Sequence, residues 1–181
     1  MRPVLWPLLA SLVFWAGQGT VVAEPDTSKE YQIKAAFLYN FTKFIEWPAE
    51  KFPDSAAPIV IGVIGSNPFG TVLADMIKDR KVNGRSIQFR EINSVSEVRG
   101  LHVLFVPAAE TRFGQLAEAL REGSVLGVGE SEVLLSYGGA ILFVQEGDKL
   151  RFEINLNSAE RAKLKISSQL LKLSRKITRT P

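Results

Sequence analysis

The sequence predicts an α/β fold: a single three-layer domain whose mostly parallel sheet carries helices on both faces, with an antiparallel hairpin near its C-terminal edge. Three observations lead there. Ile59 to Ile64 (IVIGVI) and His102 to Val106 (HVLFV) are continuously apolar, the mark of strands buried on both faces. Amphipathic stretches lie between the strand-like runs, as parallel neighbours joined by crossover helices require. Glu146-Gly147-Asp148 separates the last two strand-like runs and leaves room only for a turn, so that pair is antiparallel.

The chain opens with one charge at Arg2, an apolar run from Val4 to about Ala16, and small residues ending in Val21-Val22-Ala23. This is the plan of a secretory signal cleaved after Ala23, leaving 24–181 as one domain. The apolar run is roughly 13 residues, short of the ~20 that cross a bilayer. Export to the periplasm is the expectation. The formal charge of +3 becomes +2 once Arg2 is removed, and so weak a balance argues against a nucleic-acid partner. With no cysteine in the chain, disulfides, thiolate metal sites and thiol nucleophiles are all excluded, and packing alone must hold the domain.

The first helix runs from Thr27 towards Pro48, opened by a Thr27/Glu30 capping box and stopped by the proline. At about 100° per residue, Ile33, Ala36, Phe37, Leu38, Phe41, Phe44, Ile45 and Trp47 share one broad arc opposite Tyr39, Thr42, Lys43 and Glu46. Asn40 falls on that apolar arc, where its amide needs partners. It is expected to tie the helix to the backbone of the sheet or of the C-terminal segment, with a ligand contact as the alternative.

After strand 59–64, Asn67 and Pro68 suit an N-cap and first position for a helix to about Asp79. Asn83-Gly84 marks a turn into an alternating, more exposed strand, Ser86 to Glu91. A short helical piece near Ser94 to Arg99 leads to strand 102–106, ended by Pro107. Thr111 to Arg121 is an amphipathic helix closed by Gly123. Val125 to Val128 is a short strand, Glu130 to Ser136 a helical turn, and Ala140 to Val144 the first arm of the hairpin. In the second arm, Leu150, Phe152 and Ile154 face inward and Arg151, Glu153 and Asn155 outward. Asn157 and Glu160 read as a second capping pair. Beyond them the sequence permits either one helix to Ile177 or two, the second capped by Ser167 or Ser168. The basic C-terminal residues read as solvated charges.

The usual catalytic patterns fail for definite reasons. Gly65-Ser-Asn-Pro-Phe-Gly70-Thr71 has a phosphate loop's glycine spacing, but threonine stands where the lysine is required. Gly127-Val-Gly129 is followed by Glu132 in the place of a third glycine, which disfavours a pyrophosphate. No G-x-S-x-G elbow exposes a serine, and the one histidine, His102, cannot build a transition-metal site alone. No calcium loop occurs. Asn40-Phe41-Thr42 matches a glycosylation triplet but lies inside a helix. No catalytic residue, metal site or cofactor is expected. The one positive feature is the loop Gly65 to Phe69 over a helix start, which can offer N–H groups to an anion.

In order, KAAFLYNFTKFIEWP (34–48), IGVIGSNPFG (61–70), HVLFV (102–106), GGAILF (138–143), RFEINL (151–156) and ISSQLLKL (166–173) resemble the YfiR family across the expected mature chain. That resemblance implies a periplasmic, non-catalytic protein that represses an inner-membrane diguanylate cyclase by binding its periplasmic sensor domain. It also implies an outer-membrane lipoprotein that sequesters the repressor, with lowered cyclic di-GMP and biofilm as the output. The best-known member carries redox-linked cysteines, one just before the position of His102, where this chain has Leu101. On the interaction reading, strand 150–155 and the segment after it present Arg151, Glu153, Asn155, Ser167 and Leu171 to a partner; a second copy of the chain is another candidate. The alternative is a small-ligand module with a pocket drawing on Asn40, Gly65, Ser66, Asn67 and His102.

Overall fold

The computed structural model describes residues 27–179. The expected leader, 1–23, lies outside the described residues, as does the Thr27 side chain and with it the expected capping box. The described chain forms one α/β domain in the expected three layers. Its main sheet has eight strands: β2 (Ile59–Ile64), β3 (Lys81–Val82), β4 (Arg85–Ile92), β5 (Val103–Val106), β6 (Leu126–Gly129), β7 (Ile141–Glu146), β8 (Lys149–Asn155) and β10 (Lys176–Thr178). Their spatial order is β10-β8-β7-β6-β5-β2-β4-β3. The pairs from β4 through β7 are parallel, whereas β7–β8 and β3–β4 are antiparallel. At the β3–β4 turn, Asn83 and Gly84 both take positive φ, 51° and 80°, the conformation a two-residue hairpin demands. A separate ribbon pairs β1 (Ile45–Glu46) with β9 (Lys165–Ile166).

On one face α1 (Thr27–Phe44), α2 (Val72–Ile77) and α6 (Ser168–Leu173) contribute to a cluster built around Leu38, Phe41, Phe105, Phe143 and Phe152. On the other, a 3-10 turn at Val95–Gly100, α3 (Phe113–Glu122) and α4 (Val133–Ser136) cover β2, β5 and β6. The glycines of β6 make that second layer possible. A Cβ on Gly127 would lie 2.9 Å from Leu120, and one on Gly129 2.4 Å from Leu134. Gly127-Val-Gly129 is therefore a seat for two helices, as close approach of an element to a strand requires.

The C-terminal ambiguity resolves as two helices. The first is α5 (Leu156–Arg161); α6 follows the β9 ribbon and is capped by Ser167, whose oxygen accepts from Leu170 N–H. The helix after β2 is shorter than expected. Asn67 caps a turn, its oxygen accepting from Phe69 N–H at 2.9 Å, and α2 begins only at Val72. The cap of α5 is Asn155, not Asn157: its side chain accepts from Ser158 N–H, and it is buried, where strand alternation had placed it outward. Asn155 is still extended and in register with Thr178, but α5 starts at the next residue, and the Asn155 side chain turns to cap that helix.

Asn40 is a further correction. It is exposed and accepts from Lys43 at 3.0 Å. The buried stripe of α1 is Lys34, Ala35, Leu38, Phe41 and Thr42, which leaves Ile33 40% exposed. Two polar residues sit on the core side because their polar atoms are satisfied there: Thr42 donates to the Tyr39 carbonyl, and Lys34 pairs with Glu30 and Glu130. Trp47, which pulled the expected arc round to Asn40, stands beyond the end of the helix. Among the described residues no helix is long and apolar enough to cross a membrane.

Phe41 lies within 6.0 Å, ring centre to ring centre, of Phe37, Phe143 and Phe152. Phe41→Ala is expected to cost about 3–5 kcal/mol and Asn40→Ala less than about 0.5 kcal/mol in urea unfolding. Equal losses would contradict this phase of α1.

Candidate functional site

A parallel sheet is ordinarily covered on both faces, and here one face is left incomplete. No residue of β7, β8 or β10 belongs to the second core cluster, so that helical layer stops at α4. From there outward, side chains share a face by register: Leu142, itself still buried, opposite Glu153, then Val144 opposite Arg151, and Lys176 beside Glu153. Ion pairs lace this face. Arg175 bridges Glu146 at 3.2 Å and Glu153 at 3.0 Å, and Arg151 stands 3.6 Å from Glu146. Exposed pairs of this kind contribute under ~1 kcal/mol each, so they are not what holds the hairpin; they present fixed charges that can orient a partner. Between α4 and β10 runs a groove of about 290 Å³ lined by Glu132, Leu135, Ser136, Leu142, Glu153, Lys176 and Thr178. Val133, on α4, and Tyr137, just after it, are exposed too, but outside this lining, and the Tyr137 ring stacks on Phe113 of α3.

Of the residues expected to meet a partner, Arg151 and Glu153 lie on this face. Asn155 is buried as a helix cap, and Ser167 and Leu171 lie across the sheet, on the α6 side, where Leu171 packs against the α1 core. The sequence reading therefore joined two surfaces that the sheet separates.

The expected ligand-pocket residues are also dispersed. Asn40 is on the outer face of α1, Gly65 to Asn67 follow the C-terminal end of β2, and His102 precedes β5 at the opposite end of the strands. The Gly65 loop is committed internally. Gly65 N–H donates to Ile92 O at 2.9 Å, and the Asn67 amide donates to Gly70 O and to Glu91. Glu91 lies beside Asn67, and next to Gly65 the Glu110 carboxylate and the Arg112 guanidinium already answer each other, which leaves no unpaired cation there for an anion.

Strand order reverses between β2 and β5, and the crevice at their C-terminal ends is where doubly wound folds bind ligands. Here ion pairs occupy that region. Glu110 is gripped by Arg112 at 2.6 Å and by the backbone N–H groups of Thr111 and Arg112, which holds its carboxyl down at about 2, mainly through the Arg112 side chain. Arg112 also donates to Asn93 O. Glu130 accepts from Lys34 at 2.5 Å and from Ala108 N–H at 2.8 Å. The Tyr31 ring lies 4.6 Å from the Lys34 ammonium, and its hydroxyl is held well above the usual range by burial and by Glu130.

At the other end, His102 is packed flat against Phe52, with ring centres 4.5 Å apart, and edge-on to Trp47. Its Nδ1 accepts from Val60 N–H at 3.1 Å, which assigns the proton to Nε2, a buried atom without a partner among the described residues. Burial, with the charges of Lys51 and Arg85, lowers its pKa to about 4. Lys51 itself donates to Arg99 O and Gly123 O, and burial brings it to about 8. His102 is thus a neutral structural residue, acceptor to one strand and anchor, through its carbonyl, for the Trp47 indole.

The YfiR/HmsC-like family model matches residues 31–175 of the chain. The protein belongs to that family. No curated protein sequence matches this chain. Among solved structures it is similar to an ABC domain in complex with L-Trp from Streptococcus pneumonia, with a TM-score of 0.45 and 13% identity. The match covers 66% of this chain and 55% of that one, so this chain spans little more than half of that protein's length. That likeness is too slight to bear on fold or ligand.

In this YfiR/HmsC-like chain Leu101 fills the site before His102. It is fully buried and occupies the space over Gly62, where a Cβ would come within 2.2 Å of it. The residues that sequence reasoning missed are the paired ones: Lys34 with Glu130, Glu110 with Arg112, and Arg175 with Glu146 and Glu153. The one sequence signal that could have pointed to Lys34 is its four-residue spacing from Glu30, a residue the sequence reading assigns instead to a capping box.

His102 fixes the sign of a pH effect. Between about 4 and 6.5 the unfolded chain holds a proton on this imidazole that the folded one refuses, so stability falls as pH drops through that window. The expected loss is about 3 kcal/mol, read from urea midpoints at pH 7.5 and pH 4, and His102→Gln should flatten it. Any contribution from Glu110 is lost separately, below about 4.5.

Proposed function

We propose that the chain is a non-catalytic periplasmic regulator that binds the periplasmic sensor domain of an inner-membrane diguanylate cyclase and keeps cyclic di-GMP low. The observation that carries this reading is the uncovered face of β7, β8 and β10, with its ordered Arg151–Glu146–Arg175–Glu153 charges and the groove beside α4. A face that sets fixed charges beside the apolar Leu135 and Leu142 of the groove suits protein contact, as polar groups around an apolar strip do. Membership of the YfiR/HmsC-like family supports the partner class, and an outer-membrane lipoprotein that sequesters the repressor belongs to the same proposal.

The commitments of the ionisable groups support a non-catalytic role. Glu110 is spent on Arg112, Glu130 on Lys34, and the His102 acceptor on the Val60 backbone. None is left as a base beside a nucleophile. With no cysteine to oxidise, the signal that relieves repression is not a thiol–disulfide exchange within this chain.

A small-ligand role has one observation in its favour: a cleft of about 250 Å³ beside the His102 stack, lined by Trp47, Phe52 and Arg85 among others. Stabilisation by a periplasmic metabolite in a thermal-shift screen is its expected sign, and a flat screen counts against it.

The regulatory reading is tested with Arg151→Glu and Glu153→Arg. Each is expected to weaken binding to the isolated sensor domain at least about tenfold, roughly 1.4 kcal/mol. Each should also raise cellular cyclic di-GMP towards the level of a deletion while leaving the unfolding midpoint nearly unchanged. Unaltered binding and unaltered nucleotide levels would sink the assignment.

A further inference from the structure

The two edges of the main sheet differ. At one, β3 is two residues long and tied to β4 by a tight turn. At the other, β10 pairs with β8 on its inner side and, among the described residues, with no strand on its outer side. Sheet edges are commonly blunted by lysine or by irregular backbone. This edge has Lys176, yet it also bears Ile177, 45% exposed, close in sequence to Leu173, 64% exposed at the end of α6. Ile177 is in register with Ile154, on the α1 side of the sheet, while Lys176 and Thr178 point to the uncovered face. The edge therefore alternates charge, apolar side chain and hydroxyl in the two-residue period that a neighbouring strand would read.

We propose that β10 is a strand-addition site for an extended segment of a protein partner whose side chains alternate acidic and apolar. The inference rests on the interaction reading above and names its mode of contact. Charge selects this occupant. Lys172, Arg175, Lys176 and Arg179 are all exposed along the edge. Arg175 is held by Glu146 and Glu153 and Arg179 by Glu160, whereas Lys172 and Lys176 have no ion-pair partner among the described residues. An added strand with acids on the uncovered side answers Lys176, and its apolar residues on the other side cover Ile177. A second copy fits less well. Antiparallel pairing of two β10 strands about Ile177 brings Arg175 of one opposite Arg179 of the other, and like charges directly opposed are unfavourable. Backbone hydrogen bonds supply affinity in such contacts and alternate side chains supply selectivity, so three residues make a weak, reversible dock.

The test titrates the full chain into a fluorescent peptide alternating glutamate and valine, with amide hydrogen exchange as the second readout. Binding is expected, with slower exchange at Lys176–Thr178. It should weaken at least about tenfold with Lys176→Glu, or with a peptide N-methylated at alternate amides. No binding, or equal binding of the methylated peptide, overturns the proposal. So does self-association that Ile177→Lys abolishes in the absence of peptide binding, which would give the edge to a second copy. A failed titration beside cyclase repression by the unaltered chain removes this mode of contact alone, whereas a working titration with cyclic di-GMP unchanged on deletion of the chain removes the cyclase reading.

Discussion

The buried ion pair between Lys34 and Glu130 sets the position of the first helix and, through it, much else. An ammonium taken out of water costs several kcal/mol unless a carboxylate and further polar groups meet it. Lys34 meets that requirement only with its face of α1 turned to the sheet, where Glu130 follows β6 and is itself fixed by Ala108 N–H. That orientation brings Leu38 and Phe41 into the aromatic core and sends Asn40 to the outside. A hydrophobic count over the same helix favours a different rotation, because it gives no weight to a paired charge.

The same pair helps to close one end of the molecule. In a doubly wound sheet the C-terminal ends of the strands near the reversal of strand order form the natural ligand crevice. Here Glu110, Arg112, Glu130, Lys34 and Tyr31 satisfy one another there. At the opposite end Trp47, Phe52 and His102 stack over the start of β5. With both ends occupied by structure, the face over β7, β8 and β10 is where the helical layer runs out and side chains are left to meet something else. Position in the sheet, more than any single residue, marks it out.

Legibility in the sequence followed the strength of each local signal. The buried strands were plain because a central parallel strand must be apolar at every position, and Ile59 to Ile64 is. The hairpin was plain because Gly147, at φ 56°, sits where only a turn fits. The two C-terminal helices were visible as an option because Ser167 is a competent cap. Hidden were β1, β9 and β10, which are two or three residues each and carry no periodicity to detect. Asn155 was misread for a physical reason: alternation gives the face of a strand residue but not the helix that begins right after it and takes its side chain as a cap. The functional pairs were hidden more deeply, since Glu110 with Arg112 and Arg175 with Glu146 depend on loops and edges that no repeat encodes.

Asn155 shows how a contact surface can be narrowed by structure. As an outward residue it would have extended the Arg151 and Glu153 row to the end of β8. As a buried cap it instead fixes where β8 ends and α5 begins, and so where the chain turns back towards β9, α6 and β10. The return of β10 alongside β8 places Arg175 between Glu146 and Glu153, completing the row from the other direction. A change at Asn155 would disturb the face by releasing β10 from its register and only then any partner, while a change at Arg151 acts on the face directly. Loss of function with loss of stability therefore marks a supporting residue, and loss of function alone marks the surface.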